Sequence, residues 1–79
     1  MNIGQRYRIY YCYKDVTRSF DIICAHLSPA DVYAEICYRE TILSGLGVPG
    51  LTFEQIATNA GVARMQFVLI PPHGFTRQP

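Results

Sequence analysis

The chain has 79 residues and a mass of 9.0 kDa, enough for one domain (1–79) and too few for two. Hydrophobic residues make up 49% of it and charged residues 16%, which argues against a disordered chain. Seven basic and six acidic side chains leave a formal charge of +1, too little for bulk attraction to nucleic acid or an anionic membrane.

Met1 to Arg8 contains no long apolar run, so neither a signal peptide nor a membrane-spanning start is expected. The longest apolar stretch, Phe67 to Ile70, falls far short of the ~20 residues of a membrane helix. Arg6 to Tyr13 (RYRIYYCY) has a period of two and is rich in aromatic residues. Tyr7, Ile9, Tyr11 and Tyr13 share one face of the strand it predicts, and Arg6, Arg8, Tyr10 and Cys12 share the other. Lys14 to Thr17 reads as a polar turn of four or five residues, because Asn-Gly and Asp-Gly are both absent. Arg18 to Leu27 alternates again, with Phe20, Ile22 and Cys24 on one side, and the two runs predict an antiparallel hairpin.

Ser28-Pro29-Ala30-Asp31 carries helix-start chemistry: a capping hydroxyl, a proline suited to the first turn and an acid at the positive end. The helix is expected to run to about Ser44 and stop at Gly45, with Val32, Tyr33, Ile36, Cys37 and Leu43 on its buried face. Glu40 falls inside that stripe, where a pairing with Arg39 or Arg64 would account for it. Gly45 to Gly50 (GLGVPG) is a loop. Thr52 to Ala60 predicts a second helix with a Thr52–Gln55 capping box, a Leu51–Ile56 staple and a stripe of Phe53, Ile56, Ala57 and Ala60. Gly61 suits a left-handed cap. Arg64 to Ile70 alternates as a last strand, ended by Pro71-Pro72. The ordered core should cover about residues 5–71, and His73 to Pro79 form a loose polar tail. The order β-β-α-α-β predicts an α+β fold, a small three-stranded antiparallel sheet with two helices packed on one face.

Arg18-Ser19-Phe20, Leu27-Ser28-Pro29-Ala30-Asp31 and Ala57 to Phe67 (ATNAGVARMQF) resemble, in that order, a family of short bacterial proteins of unassigned function. The resemblance spans most of the chain, but Ile36 to Thr52 depart from it. It rests on caps, core positions and a C-cap glycine, so it implies the fold and supplies no active site.

Several constellations could carry chemistry. Cys12, Cys24, Cys37, His26 and His73 lack the close local pairs of a structural zinc site, and no CxxC is present. Three cysteines cannot all pair internally, which suits buried thiols in a reducing compartment and predicts a cytoplasmic protein. Cys24 and His26 would stand ~6.5 Å apart along a strand, too far for a thiol and its base. No enzymatic activity, cofactor, metal or small-molecule substrate is therefore expected. Ile56-Ala57 with Gly61-Val62, Phe67 and Ile70 reproduces the apolar spacing of a helix-turn-helix over residues 52–70, which is the alternative reading. Against it, Gln66 to Ile70 would give a recognition helix four apolar residues and one amide. The remaining feature is the outer face of the first strand. Arg6, Arg8 and Tyr10 combine side chains favoured at protein interfaces, so a protein partner, or self-association through the sheet face or an unpaired strand edge, is the expected function ahead of stacking on single-stranded RNA.

Overall fold

The structure, a computed structural model, describes residues 4–71; the tail and His73 lie outside them. The chain runs β1 (Gln5–Tyr13), β2 (Val16–Cys24), α1 (Pro29–Arg39), α2 (Phe53–Ala60) and β3 (Val62–Ile70). The three strands form one antiparallel sheet in the order β2-β1-β3. Ile9 and Tyr11 of the central strand are buried with Val32, Ile36 and Cys37 of α1, Ile42 beyond it, Ile56 and Ala57 of α2, and Val62 of β3. The expected α+β class is what the chain adopts.

The hairpin is tighter than its composition suggests. Tyr13 pairs with Val16, so the turn consists of Lys14 and Asp15 alone, both in the left-handed region (φ 51° and 68°). Two positive φ angles give the turn type whose twist matches the flanking strands, and it forms here without asparagine or glycine. The Lys14 N–H donates to the carbonyl oxygen of Gly61 at 3.2 Å, tying the turn to the end of α2. Consequently β2 begins at Val16, inside the expected turn, and ends at Cys24 rather than Leu27.

Helix α1 starts as expected, with a reciprocal capping box between Ser28 and Asp31. It ends five residues early, at Arg39. Thr41 turns left-handed (φ 56°), its N–H donates to the Tyr38 carbonyl, and the Ile42 N–H donates to the Cys37 carbonyl at 2.8 Å. This is a Schellman stop, completed by burial of Ile42 beside Cys37. Leu43, expected on the buried stripe, is 66% exposed because the helix has already ended.

Helix α2 carries the expected Thr52–Gln55 capping box and a left-handed cap at Gly61 (φ 111°). Ile56 and Ala57 are buried, but Phe53 is 43% exposed and is not part of the stripe. Strand β3 starts at Val62, two residues before the expected Arg64. Cys12 pairs with Ala63 and Tyr10 with Gln66, so Arg64 and Met65 together oppose Tyr11 in a β-bulge with Arg64 left-handed (φ 57°). The extra residue changes the phase of the strand, allowing Val62, Met65 and Phe67 all to reach the core side.

Candidate protein interface

Strand β1 holds its outward side chains in a row because alternate residues of a strand point to opposite faces. Arg6, Arg8 and Tyr10 come together on the face away from the helices, as the alternation predicts. The register sets Ile23 and Ile70 beside Arg6, Asp21 and Val68 beside Arg8, and Ser19 and Gln66 beside Tyr10.

The charges on this face are partly matched. Arg8 grips Asp21 with both prongs of its guanidinium, Nε to Oδ1 at 2.8 Å and Nη2 to Oδ2 at 3.1 Å, while Arg6 Nε stands 3.6 Å from Oδ2. The hydrogen bonds from Arg8 hold the Asp21 carboxyl below the usual carboxylate range, and Asp21 in turn raises the Arg8 guanidinium. A depressed carboxylate stabilises the fold above its unfolded pKa, and that contribution is lost as pH falls through the folded value. Asp21 was missed as a partner because a turn of four or five residues shifts the register; only a two-residue turn brings position 21 opposite position 8. Tyr10, Val68 and Ile23 are exposed apolar surface around the ion pair.

On the opposite face Glu40 accepts from Tyr11 Oη and pairs with Arg18 Nε at 2.6 Å. Neither Arg39 nor Arg64, the expected partners, holds it. Arg39 instead stacks over Phe20, 3.9 Å from the ring centroid, and Nε lies 3.6 Å from Glu35. The Glu40 and Tyr11 side chains are almost entirely enclosed, and burial with the Glu40 contact pushes the Tyr11 phenol up to about 12. This cluster satisfies polar groups that the core would otherwise leave unpaired.

A second apolar feature lies where α1, the α1–α2 connection and the start of α2 meet. Tyr38, Leu43, Leu46 and Phe53 border an open groove of about 450 Å³ floored by Cys37 and Ile42. Its sequence signal was concealed by extending the first helix to Ser44, which assigned Leu43 to the core. Burial pushes the Cys37 thiol up, away from the reactive thiolate. Cys24 Sγ donates to the backbone carbonyl of His26 at 3.1 Å, so the contact between these residues does not run through the imidazole. Among the described residues, no three His, Cys, Asp or Glu side chains cluster as metal ligands. No helix among them is long and apolar enough to cross a membrane.

The second helix required by a helix-turn-helix is β3 here, with Gln66 and Val68 laddered to β1. Comparison with models of known protein families, with curated proteins and with solved structures finds no match. The resemblance to short bacterial proteins therefore rests on the quoted segments alone.

Proposed function

We propose that this chain is a small non-enzymatic, cytoplasmic protein-binding module whose contact surface is the sheet face opposite the helices, centred on Arg6, Arg8 and Tyr10. One observation supports the reading above the others. The Arg8–Asp21 fork neutralises its own charge within a patch carrying exposed Tyr10, Val68 and Ile23. A paired charge brings its hydrogen-bond partner with it when covered, whereas a lone charge would have to find one on the incoming surface. Tyrosine adds contact area with few rotatable bonds and a hydroxyl for a partner. The patch keeps a net positive charge through Arg6, which favours a neutral or mildly acidic protein surface.

The test is a double variant, Arg8→Ser with Tyr10→Ser, immobilised beside the wild-type chain and exposed to an extract of the native host. A protein retained by the wild type should be lost from the variant while the circular dichroism spectrum stays unchanged. Equal retention on both would remove the sheet face from consideration. Loss of the spectrum would assign these side chains to the fold.

A further inference from the structure

The sheet has two outer edges, and they differ in a way that bears on self-association. Strand β3 is interrupted by the bulge at Arg64 and Met65, a device that twists an edge away from potential partners. Strand β2 has no such interruption. Its nine residues pair with β1 in unbroken register and contain neither proline nor lysine, and its two charged side chains, Arg18 and Asp21, are each held in an ion pair within the chain.

The two-residue turn decides which backbone groups face that edge. It makes Tyr13 and Val16 a hydrogen-bonded pair, so Val16, Arg18, Phe20, Ile22 and Cys24 direct their N–H and C=O groups to β1. Thr17, Ser19, Asp21 and Ile23 direct theirs outward, one donor and one acceptor each. Among the described residues, no turn, loop or cap backbone bond reaches these four.

We propose that a second copy of this chain pairs with the outer edge of β2, antiparallel and centred on Phe20, to give a continuous six-stranded sheet. The proposal rests on the reading of the chain as a binding module and names its partner at the sheet edge. A two-fold axis normal to the sheet keeps both pairs of helices on the same side. It also requires opposed residues to share a face, which leaves few registers. Centring on Phe20 sets Thr17 opposite the copy's Ile23 and Ser19 opposite the copy's Asp21, using all the outward groups on both strands. Centring on Ser19 leaves Ile23 unpaired. Centring on Asp21 places two carboxylates face to face, a repulsive cross-strand pair. In the Phe20 register the Ser19 hydroxyl meets the copy's carboxylate, and threonine meets isoleucine. Arg39, above Phe20, has Glu35 beside it in its own helix and brings no lone charge to the axis. The outer faces of the two copies then form one surface bearing two Arg8–Tyr10 patches.

Sedimentation of the full chain across the micromolar range tests this, with three variants alongside. The wild type should show a concentration-dependent dimer. Ser19→Pro removes an outward N–H without touching a bond to β1, and Thr17→Lys places a guarding charge on the edge. Each should weaken dimerisation by about tenfold or more, and the lysine variant keeps the test valid if the proline variant fails to fold. Arg8→Ser with Tyr10→Ser should remain dimeric. A wild-type monomer throughout, or a dimer that both edge variants leave intact, would overturn the proposal. A dimer lost only in the Arg8/Tyr10 variant would overturn it also and move the contact to the sheet face. Failure of the edge leaves the capture experiment above unaffected, so the two readings fail separately.

Discussion

Tyr11 shows how one side chain couples the sheet to the far end of a helix. Its ring lies edge-on to Phe20 with centroids 6.0 Å apart, and its hydroxyl meets Glu40, just past α1. The phenol stays protonated in the fold to about pH 12, against 10 when exposed. A raised pKa means that the folded state binds more protons in this interval, so the contribution is complete below pH 10 and is lost as pH rises from 10 towards about 12. Tyr11→Phe should cost about 1 kcal/mol at neutral pH through the lost hydrogen bond, and should also flatten the alkaline decline. Burial raises the Tyr33 phenol and the Cys37 thiol as well, so part of the decline remains in the variant. Urea melts of both chains at pH 9 and pH 11 check this; an equal loss in the two would show that Tyr11 is not the responsible group.

The elements differ in how directly the chain announces them. Starts were legible because they depend on local chemistry: the Ser28 hydroxyl caps α1 and the Thr52–Gln55 box opens α2, while the return bond from Asp31 to Ser28 is added by the structure. Ends were less so. Glycine marks a left-handed stop at Gly61, but α1 stops at Thr41, a β-branched residue that pays a steric cost in that region. The burial of Ile42 compensates, and no local rule detects a reward that lies in the core. Thr41→Gly should therefore relieve strain and raise stability by about 1 kcal/mol, read as a higher urea midpoint with an unchanged slope. A lower midpoint would mean that threonine makes a favourable contact at the turn. The bulge at Arg64 is a similar case. Apolar residues at 62 and 65 are an odd step apart, and two-residue alternation accommodates them on one side only if one position is doubled.

At the scale of the whole molecule, one small cluster holds the layers together. Ile9 lies at its centre, fully buried on the middle strand. A chain of this length has roughly 4–12 kcal/mol of stability to lose, and Ile9→Ala should remove about 2–5 kcal/mol by emptying packed volume. Denaturant melts should show a large drop in midpoint. A loss below about 1 kcal/mol would mean that the site collapses around the smaller side chain. The limited core also accounts for what remains outside. Two short helices cover one face of a three-stranded sheet, so among the described residues the other face and one uninterrupted edge stay open.

The order of elements, the inward row of β1, the helix starts and the outward grouping of Arg6, Arg8 and Tyr10 follow from residue spacing, because periodicity and capping operate over a few neighbouring positions. The tertiary structure decided the two-residue turn, and with it the pairing of Arg8 with Asp21 and the direction of each backbone group on β2. It also decided where α1 ends, which acid meets Tyr11, and that the last strand starts at Val62 and carries a bulge. Each of these compares energies between residues distant in sequence, where burying one isoleucine or aligning one ladder outweighs a local preference of about 1 kcal/mol.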